Sequence, residues 1–114
     1  MENNGKDSLK IYHKGEKIEW GVTSVEFYVK EENFMFGNLK VPPKSEAPID
    51  EGHPNGEYAY CQKGNFKMTL LHKDKEAQSF EIKKGDSFLI PAKVDHQIKN
   101  LNSEEVSLIF VLNL

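Results

Sequence analysis

The sequence predicts an all-β domain, either a sandwich or a closed barrel, and three observations carry that reading. Short runs of alternating apolar and polar residues recur about every eight to twelve positions, punctuated by Gly, Pro, Asn and Asp. No convincing amphipathic helix intervenes between them. The last run, VSLIFVL at 106–112, is nearly all apolar, as a central buried strand is. With 114 residues, 38% hydrophobic and 11% aromatic, the chain has material for one core and little for a second domain.

Taken in order, residues 1–9 are polar and are expected to be a flexible N-terminus, with one domain over 10–114. Val25, Phe27 and Val29 alternate with Glu26, Tyr28 and Lys30, the period-two pattern of a half-buried strand. FMFGNLKV at 34–41 is a second strand, stopped by Pro42 and Pro43, and a loop rich in Pro, Asp and Gly runs from Lys44 to Gly56. Glu57–Cys61, the turn Gln62–Asn65 with Gly64 for positive φ, and Phe66–Leu71 read as a hairpin. Further strands follow at Ser79–Ile82, Ser87–Pro91, His96–Lys99 and Val106–Leu112, the last expected to be covered on both faces. Alternation from Glu57 points Ala59 and Cys61 inward and Tyr58 and Tyr60 outward. Pro91 marks a strand end, and Asn100 bonds within its own turn.

Charge narrows the function. The net charge is -3 and the isoelectric point near 5.8, so there is no basic footprint for nucleic acid. All 15 basic residues are Lys, so an anionic ligand has no guanidinium fork to bind and must use Lys, His, backbone amides or a metal. Cys61 is the single cysteine, which excludes an intrachain disulfide and points to a reducing compartment. The N-terminus lacks the apolar stretch of a signal peptide, and no run approaches the ~20 apolar residues of a membrane helix. A cytoplasmic protein without a membrane partner is the expectation.

Two segments carry a more specific signal. EGHPNGEYAYCQKG, from residue 51, holds His53, Glu57 and Gly64, and GDSFLIPAKVDHQIKN, from residue 85, holds Gly85, Pro91, His96 and Asn100. In residue type, spacing and order these resemble the two motifs of the cupin superfamily, over residues 45–100. Three positions depart from the family pattern. Glu51 stands where the first histidine of His-x-His is expected, Ser45 where a glycine opens the first motif, and Lys93 where a glycine follows the proline.

The resemblance implies a jelly-roll barrel holding one divalent transition metal (Fe, Mn, Zn or Ni) on His53, Glu57 and His96. Two imidazoles and a carboxylate leave coordination positions open, whereas a structural zinc site closes with four protein ligands, usually including thiolates. Glu51 has three readings: a fourth ligand that favours Mn(II) or Fe(II), a solvated side chain, or a catalytic general base beside the metal. Small cupins include oxygenases, isomerases, cyclases and lyases acting on small organic molecules, and also barrels that hold a ligand or sugar without turnover. A homodimer is expected as well, with the strand at 25–29 and Trp20, Tyr28 and Tyr60 as contact candidates. His13 and His72 match no motif position and are read as surface residues.

Overall fold

The structure, a computed structural model, describes residues 8–114, so most of the expected flexible N-terminus lies outside the described residues. Ten strands and, among those residues, no helix make up the chain. A six-stranded antiparallel sheet has the order β1 (Glu16–Trp20), β2 (Thr23–Glu31), β3 (Phe34–Val41), β10 (Val106–Asn113), β5 (Glu57–Lys63), β8 (Ser87–Ile90). A four-stranded sheet has the order β4 (Ser45–Glu46), β9 (Asp95–Asn100), β6 (Phe66–Leu71), β7 (Gln78–Ile82). This is the all-β jelly roll.

The longest apolar run sits where burial is greatest. β10 lies between β3 and β5, and its alternate residues Val106, Leu108, Phe110 and Leu112 enter the core. Ala59 and Cys61 of β5, Phe66, Met68 and Leu70 of β6, and Ile98 of β9 complete the inner layer. Tyr58 and Tyr60 point outward, as period-two alternation from Glu57 requires. Ile109 and Val111 on the outer face of β10 are only half-buried, so that strand is not covered on both faces.

Two readings of connectivity are corrected. β5 and β6 do not pair: β5 bonds to β10 and β8, while β6 bonds to β9 and β7. The turn through Gly64 (φ 81°) is a corner between sheets, and Ala59 and Cys61 face Phe66 and Met68 across the core rather than along a ladder. A Cβ on Gly64 would also lie 2.8 Å from the Glu105 carbonyl oxygen. β1 and the two-residue β4 were not legible, and β1 forms one edge of the six-stranded sheet, outside the strand at 25–29.

Asn100 does more than bond within its turn. Fully buried, it accepts from the Asn102 amide and donates to the carbonyls of Glu104, Val41 and Pro42. It thereby ties the end of β9 to the end of β3 in the opposite sheet.

Candidate metal centre

Four side chains from three segments converge between the sheets. Glu57 opens β5 in the inward phase shared by Ala59 and Cys61. His96 enters from β9 on the facing sheet, in the inward phase shared by Ile98 and Asn100, and is buried. Asp50 and His53 come from the loop between β4 and β5. One donor atom from each of the four lies within 4.8 Å of the other three.

His96 Nε2 is 3.2 Å from Asp50 Oδ2 and 3.7 Å from Glu57 Oε1. His53 Nε2 is 3.4 Å from Asp50 Oδ1 and 3.6 Å from Glu57 Oε1. His96 Nδ1–H donates to the Val94 carbonyl at 3.0 Å, which turns Nε2 toward the cluster. Both imidazoles therefore present Nε2, and both carboxylates an oxygen, to one shared centre.

Backbone bonds hold this arrangement. The Asp50 amide donates to the His96 carbonyl at 2.8 Å and the His96 amide returns a bond to Asp50 at 2.9 Å. The Lys93 amide donates to the His53 carbonyl, and the Gly52 amide to Asp95 Oδ1. Gly52 is needed for this approach, because a Cβ there would stand 2.3 Å from the Lys93 carbonyl carbon. Lys93 adopts φ 63°, the left-handed region that favours glycine, at the position where the motif expects one.

The fourth member of the cluster is a residue that the sequence did not single out, and of the three readings of Glu51 the solvated one fits the structure. Asp50, not Glu51, joins His53, Glu57 and His96, while Glu51 is exposed to solvent. The cause is register. Directly paired residues on antiparallel strands share a face, so pairing with His96 turns Asp50 inward and the next residue outward. His13 is exposed and His72 bonds to Gln78, both away from the cluster.

Electrostatics single out Glu57. Its Oε1 is buried and has no hydrogen-bond partner. Burial, aided by the charge of Asp50, raises its pKa above the ordinary carboxylate value against the opposing pull of His96 and His53. Burial pushes Asp50 in the same direction, but its hydrogen bond to His96 and the two imidazole charges leave its pKa lowered. Burial disfavours the charged form of His96, yet Asp50, the Val94 carbonyl and Glu57 together raise its pKa. A divalent cation fits this donor set. It gives Glu57 Oε1 the partner it lacks and is matched in charge by two carboxylates.

Beside the cluster opens a cavity of about 230 Å³. Asp50, His53 and Glu57 line one side of it, and apolar side chains from β1, β2, β3 and β10 line the rest. Trp20, a contact candidate in the sequence, lines this cavity.

Comparison with known proteins agrees with the fold and the motifs. Residues 37–112 match the family model for the cupin domain, and the chain belongs to the cupin family. A protein of Methanocaldococcus jannaschii is 33% identical over 63 residues, which span 55% of this chain but only 46% of that one. Among solved structures, the Drosophila melanogaster CENP-C domain superposes with a TM-score of 0.74 at 17% identity, over 85% of this chain and 71% of that one. Lactobacillus farciminis oxalate decarboxylase, in complex with formate, gives 0.74 at 19% identity, over 87% of this chain and 31% of the enzyme. Bacillus subtilis oxalate decarboxylase, which has Mn(II) centres, gives 0.74 at 21% identity, over 86% and 27%. At such identities the likeness is one of fold.

Proposed function

We propose that this cupin binds one divalent metal through Asp50, His53, Glu57 and His96, and uses it to transform a small organic molecule. The single observation behind this reading is the buried, partnerless Glu57 Oε1 facing two imidazole Nε2 atoms. Two carboxylates beside two imidazoles favour Mn(II) or Fe(II) over softer ions. When bound, such an ion supplies Lewis acidity and open positions for substrate or oxygen. The chain's own residues do the rest. His96 anchors the buried side of the site, while Asp50, His53 and Glu57 form the side that meets the cavity. Oxygenase, isomerase, cyclase and lyase reactions all fit these requirements.

The test is elemental analysis after anaerobic purification. About one metal per chain is expected in the wild type, and its loss in a His53→Ala/His96→Ala double variant. A folded wild type that retains no metal and takes up none of Mn(II), Fe(II), Zn(II) or Ni(II) sinks the proposal. The second reading, a barrel that holds a ligand without turnover, draws on the apolar cavity wall. It requires the double variant to keep binding the wild type's ligand.

The homodimer belongs to this proposal too. Paired positions Leu89, Tyr58, Val111 and Phe36 form an apolar row across the outer face of the six-stranded sheet, with Leu89 and Tyr58 more than half exposed. A twofold contact on that face predicts a dimer mass by light scattering at micromolar concentration. A monomer mass there counts against it.

A further inference from the structure

The cavity next to the cluster differs in chemistry from a site built for organic acids or sugars. Its wall consists of Trp20, Phe27, Met35, Leu39, Phe110 and Leu112 with the aliphatic Ile18 and Val25, and apart from the Trp20 indole N–H its polar lining comes from Asp50, His53 and Glu57. Neither a Lys, nor a hydroxyl, nor an amide side chain reaches it from the described residues.

That lining sets the ligand class by exclusion. A dicarboxylate such as oxalate needs a cation to neutralise the charge that a single metal leaves over, and the wall offers none. A sugar needs a hydrogen-bond partner for most of its hydroxyls, and burying them against Phe, Met and Leu leaves them unpaired. An apolar body suffers neither penalty and gains from each Å² it buries. Size narrows the class further. The cavity is open to solvent on one side, and its volume of about 230 Å³, below the roughly 300–1,000 Å³ of drug-sized sites, holds one ring or a short branched chain.

Shape points to a planar body. The Phe27 and Phe110 rings meet edge to face at 5.9 Å and 87°, and Trp20 shares the same wall. Ring surface on this wall offers a flat aromatic ligand offset-stacked or edge-to-face contacts that an aliphatic body cannot make. The polar end of the cavity is the cluster itself, so a ligating oxygen on the ligand would lie toward Asp50 and His53.

We propose that the site takes a small, uncharged, largely apolar molecule, preferably an aromatic ring, with its ligating oxygens directed at the metal cluster. The proposal rests on the metal reading above for its polar end and on the cavity wall for the rest.

Calorimetry on the Mn(II)-loaded protein, kept anaerobic, tests it with 4-ethylcatechol, oxalate and glucose as probes, and elemental analysis reads the metal content of each sample. The expected result is 4-ethylcatechol binding at least about tenfold more tightly than either other probe, a margin of about 1.4 kcal/mol. Met35→Lys places a cation on a half-buried wall position and should shift the preference toward oxalate by about tenfold or more, metal content unchanged. Oxalate or glucose binding as tightly as 4-ethylcatechol on metal-loaded protein overturns the ligand class and leaves the metal reading intact. Absence of 4-ethylcatechol binding by metal-loaded protein also overturns it. Protein that cannot be loaded yet still binds 4-ethylcatechol supports the ligand class while the metal reading fails.

Discussion

At the scale of single residues, Glu57 is where stability and function oppose each other. Its Oε1 is buried without a partner, and its pKa is raised chiefly by that burial. A carboxyl with a folded pKa above its unfolded value contributes stability below the ordinary value of 4.5 and loses it as pH rises through the folded value. The metal-free protein therefore takes on this cost as pH rises through the folded value. Glu57→Gln removes the charge and keeps the shape. Metal-free E57Q is expected to be more stable than the wild type near neutral pH by on the order of 1 kcal/mol, the low end for a buried unpaired polar group. The difference should vanish as both proteins are taken to pH 4, where the wild-type carboxyl is protonated. Urea denaturation of chelator-treated proteins at both pH values measures it. A wild type as stable as E57Q at neutral pH would show that the imidazoles already satisfy Glu57. The neighbouring pair Asp50 and Glu51 shows what sequence could and could not reveal. His53, Glu57 and His96 were legible because their spacing is local to two short motifs. Asp50 was not, because its inward direction depends on pairing with His96 across 46 positions of chain, a register that no local pattern encodes.

At the scale of strands, legibility followed how much apolar material each one buries. β10, with its four inward residues, was plain, and so were β3, β5 and β6. β1 was missed because EKIEW offers only Ile18 and Trp20 as apolar positions and is mostly exposed. β4 has two residues and exists only through its bonds to Lys99 and Asn100. The β5–β6 hairpin failed for a different reason. A short Gly-containing turn between two amphipathic strands fits a ladder and a sheet-to-sheet corner equally well, and the outcome depends on partners elsewhere in the chain. Here β10 and β8 claim the edges of β5, while β9 and β7 claim those of β6. The corner matters for function, since it places Glu57's sheet opposite His96's.

At the scale of the molecule, the cluster is a junction. Glu57 belongs to the six-stranded sheet and His96 to the four-stranded one, and these sheets meet mainly through side-chain packing. The loop bearing Asp50 and His53 is bonded to β9 and to the Lys93 turn, so it is tied to the smaller sheet. An ion held by residues from both sheets would act as a clamp between the layers, absent from the unfolded chain. Binding to the native state alone stabilises by RT ln(1 + [L]/Kd), about 2.7 kcal/mol at a hundredfold excess over Kd. For a domain of this size that corresponds to a rise in Tm of roughly 10 °C. The rise should grow logarithmically with Mn(II) concentration and disappear in His96→Ala, which removes the ligand from one sheet, and in Glu57→Gln, which weakens the other. Glu51→Ala should retain it in full, because Glu51 faces solvent. Thermal melts at several Mn(II) concentrations measure all four proteins. An equal rise in wild type and His96→Ala would place the ion on surface carboxylates instead, and a loss in Glu51→Ala would return that residue to the ligand set.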